Sequence, residues 1–145
     1  MDEKTGCWKF YPHTADAKYE AYGKTLEELF KNAGLACFEV MTETSKVESK
    51  QQFSITIQAK KLESLLFDYL DELLFLMDTE NIMVGDITDI KITKEEEFYK
   101  LTAIVHGDNH KQYDVTSDVK AITYSEMHIT KQEDDSYICM VVVDI

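Results

Sequence analysis

YICMVVVDI, residues 137–145, is the stretch on which the fold turns. Side chains alternate across a strand. Ile138, Met140, Val142 and Asp144 therefore share one face, and Tyr137, Cys139, Val141, Val143 and Ile145 the other. Three β-branched residues in succession favour a strand over a helix. A strand apolar on both faces is covered on both, so this one is expected at the centre of a sheet. Working outward, KQEDDS (131–136) supplies a turn, and VKAITYSEMHIT (119–130) reads as the hairpin partner of 137–145.

The same alternation marks further strands. QFSITIQ (52–58) puts Phe53, Ile55 and Ile57 on one face. DIKIT (89–93) and FYKLTAIVHG (98–107) read as a hairpin through the acidic KEEE turn. WKFYPHTADAKYEAYG (8–23) holds two extended pieces around a polar turn.

Two segments carry helical spacing instead. In KTLEELFKNAGLACFEVM (24–41), Thr25 and Glu28 are spaced as a capping box, and Leu26, Leu29, Phe30, Ala33, Ala36 and Val40 follow on one face. Gly34 weakens that helix by about 1 kcal/mol relative to Ala, and admits close packing in return. In LESLLFDYLDELLFLMDTEN (62–81), Leu62, Leu65, Leu66, Tyr69, Leu70, Leu73, Leu74 and Met77 form one stripe, with most acids off it. The expectation is an α+β domain spanning 1–145, a mainly antiparallel β-sheet structure packed with two amphipathic helices.

Composition narrows the function. Fifteen Lys and Arg against 28 Asp and Glu leave a net charge of −13, which repels phosphate backbones. Direct nucleic-acid binding is not expected; a cation or a basic protein surface is. Cys7, Cys37 and Cys139 form no C-x-x-C pair, which removes zinc ribbons and thioredoxin-like sites. Free thiols point to a reducing compartment, hence the cytoplasm. The opening MDEKTGCWKF carries no apolar leader, and no apolar run approaches the roughly 20 residues of a membrane span. Phosphate-binding glycine loops, serine elbows, H-E-x-x-H and EF-hand patterns are all missing.

Asp144 then stands out, because it continues an apolar row. A buried, unpaired carboxylate costs several kcal/mol. Either the strand end emerges into water, or a cation sits beside it. The side chain of Asp144 and the main-chain carboxylate of Ile145 are hard oxygen donors, suited to Ca²⁺, Mg²⁺ or Mn²⁺. In the polar turn before residue 17, Thr14 and Asp16 either satisfy turn amides or, for Asp16, add another oxygen to a cation. His13 is a candidate neighbour that bonds to a ligand rather than to the ion. His106 and His110, in VHGDNHKQYD, read as part of a surface loop, and His128 as part of a strand.

Four stretches in order resemble the archease family: HTADAKYEAYGKTLEELFKNAGLACFEVMT (13–42), ESLLFDYLDELLFLMDTE (63–80), VKAITY (119–124) and the final Asp-Ile. The resemblance runs from about Trp8 to Ile145. It implies a partner of an RtcB-type RNA ligase, which joins tRNA halves with GTP and divalent metal. Such a protein activates the ligase by speeding its guanylylation and sustaining its turnover, without being a catalyst itself. The resemblance also implies a divalent cation, calcium with magnesium or manganese as alternatives, held by Asp16, Asp144 and Ile145. Links of the family to a tRNA methyltransferase and to chaperone-like activity supply a second reading, and a metal-dependent hydrolase is a third. Departures from the pattern are Ser125, where a histidine commonly follows Thr-Tyr, Ala17, where Ile is common, and the 106–118 loop.

Overall fold

The computed structural model describes residues 1–13 and 15–145. Its elements, in chain order, are β1 (Trp8–Tyr11), β2 (Asp16–Gly23), α1 (Leu26–Glu39), β3 (Gln51–Ala59), α2 (Leu62–Glu80), β4 (Ile82–Lys94), β5 (Tyr99–Asn109), β6 (Ala121–Ile122), β7 (His128–Lys131) and β8 (Tyr137–Asp144). Every strand pairing between them is antiparallel. The α+β expectation, two helices with antiparallel sheet, matches this architecture.

Strand β8 is central, as its two apolar faces require. It pairs with β2 along one side and with β6 and β7 along the other, in a five-stranded sheet completed by β1. A second, three-stranded sheet runs β3-β5-β4. Both helices lie between the sheets: α1 packs on β2 and β8 of the first and β4 of the second, and α2 touches β3, β4, β5, β6 and β7.

That placement explains a difference from the helical periodicity. The spacing predicts one apolar stripe on α1, yet every residue from Leu29 to Glu39 except Lys31 is buried. A helix with a sheet on each side has no solvent face over most of its length. Its polar residues are bonded accordingly. The Asn32 amide donates to the Tyr22 carbonyl at 2.7 Å, and the Glu39 carboxylate accepts from the Thr44 hydroxyl at 2.9 Å. Thr25 caps the helix, its hydroxyl oxygen accepting from the Glu28 amide at 3.1 Å. At Gly23 a Cβ would run into the backbone of Leu29, so the end of β2 tolerates no side chain where α1 begins.

Two strand readings are corrected. The hairpin partner of 137–145 is not one strand. β6 pairs with Val143 and Asp144, β7 pairs with residues 137–140, and 123–127 leaves the sheet between them. Glu126 turns the chain there, at φ +56. The strand before the KEEE turn starts at Ile82 rather than Asp89 and carries register shifts at Val84/Asp86 and Thr88/Lys91. Such bulges break the alternation that a sequence reading follows. His106 lies in β5, its ring nitrogen 2.7 Å from the Thr88 hydroxyl, and not in a loop.

Among the described residues, no helix is long and apolar enough to cross a membrane. Cys7, Cys37 and Cys139 are free, and burial pushes the Cys37 and Cys139 thiols up to about 12.

Candidate functional site

The alternation of β2 sends Ala17, Tyr19, Ala21 and Gly23 to the helices and leaves Asp16, Lys18, Glu20 and Tyr22 on the outer face. Asp16 opens that strand. Ala15, just before it, has φ +65, a left-handed conformation that costs an L-residue roughly 1 kcal/mol. Strain of this kind concentrates where a neighbouring group must be aimed. Thr14 lies outside the described residues.

Asp16 and Asp144 are direct Cα partners across the β2–β8 ladder. Direct partners put their side chains on the same face, with Cβ atoms about 4.5–5.5 Å apart. The backbone of Asp144 is held from the other side too. It pairs with Ala121, and its carbonyl accepts from the Lys120 amide at 2.8 Å. Asp144 is exposed, so the strand end does emerge into water. Ile145, its neighbour, is 37% exposed. The structure therefore brings the first acid of β2 and the last acid of β8 together, at a surface rather than in the core.

His13 lies at the same end. One ring nitrogen bonds the Asp16 carboxylate, and the other is 3.5 Å from the Glu126 carboxylate. Lys18 bonds Glu126 at 2.7 Å. The Lys18 bond, with the charges of Lys18 and His13 beside it, holds the Glu126 carboxyl below the usual carboxylate range against the opposing effect of burial. Glu126 is the residue that sequence reasoning missed. It is one acid among 28, and it reaches the site only because 123–127 leaves the sheet between β6 and β7 and brings it to His13 and Lys18.

Among the described residues, no group of three or more His, Cys, Asp or Glu side chains is placed to hold a metal ion alone. What the site offers is a facing pair of carboxylates with a histidine bonded to one of them. The donor set still suits a hard cation. Like charges directly opposite across a ladder destabilise it, and among the described residues no ion pair neutralises Asp144. The site is also open. Clefts of about 520 and 530 Å³ lie elsewhere, beside Glu39 and Tyr113 and beside Asn32 and Thr88, and neither is lined by Asp16 or Asp144.

The sequence model of the Archease protein family (MTH1598/TM1083) matches residues 8–145. Proteins named archease from Thermococcus kodakarensis and Methanothermobacter thermautotrophicus are 39% and 40% identical to this chain, over 95% of it and 98% of theirs. The archease of Methanosarcina barkeri is 39% identical over 95% of both chains. The solution structure of Methanobacterium thermoautotrophicum protein 1598 superposes with a TM-score of 0.84 at 37% identity, covering 97% of this chain and 100% of that one. With the family model matched over residues 8–145, relatives near 40% identical over most of the chain and the fold shared, the chain belongs to the archease family.

Proposed function

We propose that this archease is an accessory protein that holds a divalent cation and activates an RtcB-type RNA ligase in tRNA splicing, promoting the ligase's guanylylation and repeated turnover. The single observation that carries the reading is the register of Asp16 against Asp144. Asp16, Asp144 and the main-chain carboxylate of Ile145 are the ligands, with calcium the preferred ion and magnesium or manganese alternatives. Three anionic groups fill less than a calcium shell of about 6–8 oxygens, so positions remain for water or for a donor from the partner. When bound, the ion supplies positive charge and open coordination positions on an otherwise acidic face.

This chain's own residues do the rest. The two ladders flanking β8 fix the backbone of Asp144, and His13 orients the Asp16 carboxylate through its hydrogen bond. The net charge of −13 supports a protein partner over direct contact with RNA. The openness of the site and the existing His13–Asp16 bond favour docking over hydrolysis.

The deciding measurement is ligase guanylylation with GTP and substoichiometric archease, with and without one residue appended after Ile145. The appended residue moves the carboxylate away and leaves every side chain in place. The expected result is loss of stimulation. Full stimulation by the extended protein removes Ile145 from the ligand set, and full stimulation by Asp144→Ala removes the site.

A further inference from the structure

The outward ridge of α2 is unlike the rest of that helix. Residues four apart stack along one side of a helix, with Cβ atoms about 5–6 Å apart. Phe67, Asp71 and Phe75 form such a row, and Asp68 and Asp78 flank it as exposed acids. Phe75 is 58% exposed. Phe67 is half-buried against the core, and Tyr124, from the 123–127 excursion, stacks on it with ring centroids 4.1 Å apart and planes 7° from parallel. Tyr124 is itself 58% exposed, so its free face looks outward.

Among the described residues, none of Asp68, Asp71 and Asp78 takes part in an ion pair. Partial burial and the charge of Asp71 push the Asp68 carboxyl up, and burial and Asp68 push the Tyr124 hydroxyl up. An acid between two aromatic surfaces matches one side chain above others. A guanidinium stacks flat on a ring and forks onto a carboxylate at once, whereas an ammonium is a hydrated point charge.

We propose that the Tyr124/Phe67–Asp71–Phe75 ridge is a docking surface for an arginine-bearing segment of a protein partner. Charge complementarity fixes the class: the same rings offered to RNA would set its phosphates against three unpaired acids. The surface needs no cation at Asp144, so it stands or falls separately from the ligase reading.

The test uses the whole chain, labelled with ¹⁵N, at about 150 mM salt. The probes are a capped peptide alternating Arg and Ala, the same peptide with Lys for Arg, and a short single-stranded RNA. The expected result is amide shifts confined to 64–79 and 123–127, an affinity at least ~3-fold higher for the arginine peptide, and a loss of ~10-fold or more in Asp71→Lys. Phe75→Ala, at an exposed position, gives a second loss without touching the core. Shifts spread evenly over the acidic surface with equal arginine and lysine affinities overturn the proposal. So does undiminished binding by Asp71→Lys, or stronger binding of the RNA at these amides.

Discussion

Asp16 and Asp144 face each other as direct partners at the open end of the β2–β8 ladder. Both carboxylates project from the same face of the sheet, and the backbone beneath Asp144 is fixed by strands on both sides. A like-charged pair held this way works against the fold.

That tension gives the first prediction. Without divalent ions, Asp144→Asn removes the repulsion and melts about 1–2 °C above the wild type. Calcium reverses the order. At about 100 times its dissociation constant, a ligand bound only by the native state stabilises it by about 2.7 kcal/mol. Thermal melts with calcium and with chelator, for both proteins, measure the difference. A wild type that calcium does not shift removes the cation from this site.

Much of this architecture was legible in the sequence. The doubly apolar run 137–145 pointed to a central strand, the alternation in 52–58 to β3, and the spacing of Thr25 and Glu28 to the start of α1. What was not legible depends on contacts far apart in the chain. VKAITYSEMHIT alternates well enough to pass for one strand, but Tyr124 is drawn out to Phe67 and Glu126 to His13 and Lys18. Alternation registers burial on a face and is blind to a partner 108 positions away, as Lys18 is from Glu126. Asp16 and Asp144 were both legible as acids out of place, yet only the ladder brings them together.

A second prediction concerns the packing between the helices. A Cβ on Gly34 would lie 2.6 Å from the Tyr69 hydroxyl and 2.7 Å from a methyl of Ile87. Gly34→Ala therefore destabilises by about 1–3 kcal/mol, although alanine is the better helix former by about 1 kcal/mol. The Tyr69 hydroxyl is buried and has no hydrogen-bond partner among the described residues. Tyr69→Phe is expected to be neutral or stabilising by up to about 1 kcal/mol. Urea denaturation of the two single variants and the double variant completes the cycle. The alanine should cost less in the phenylalanine background; strict additivity would show that the hydroxyl is not the obstacle.

The Asn32 side chain ties α1 to the end of β2 by donating to the Tyr22 carbonyl. Asn32→Ala deletes a buried donor and strands its acceptor, a loss of about 1–2 kcal/mol. Hydrogen exchange should report faster opening at the amides around Gly23 and the first turn of α1. Unchanged protection there would mean that the packing of Leu29 and Phe30 holds the junction unaided.

The last prediction uses the sign of a titration on α2. Partial burial and the neighbouring charge of Asp71 raise the Asp68 carboxyl above its ordinary value, so the folded protein binds that proton more readily than the unfolded chain does. A group raised in this way destabilises the fold fully at pH values above its folded pKa. The penalty fades as pH falls through the folded and then the unfolded value. Asp68→Asn removes the charge and should raise the melting temperature near neutrality by about 1 °C, a surface-sized effect. Below about pH 3 the advantage should vanish, because the wild-type carboxyl is then protonated in both states. Melting curves for the two proteins from neutral to acid pH test this. A gain that persists unchanged into acid would mean that the substitution acts through packing or helix propensity rather than charge.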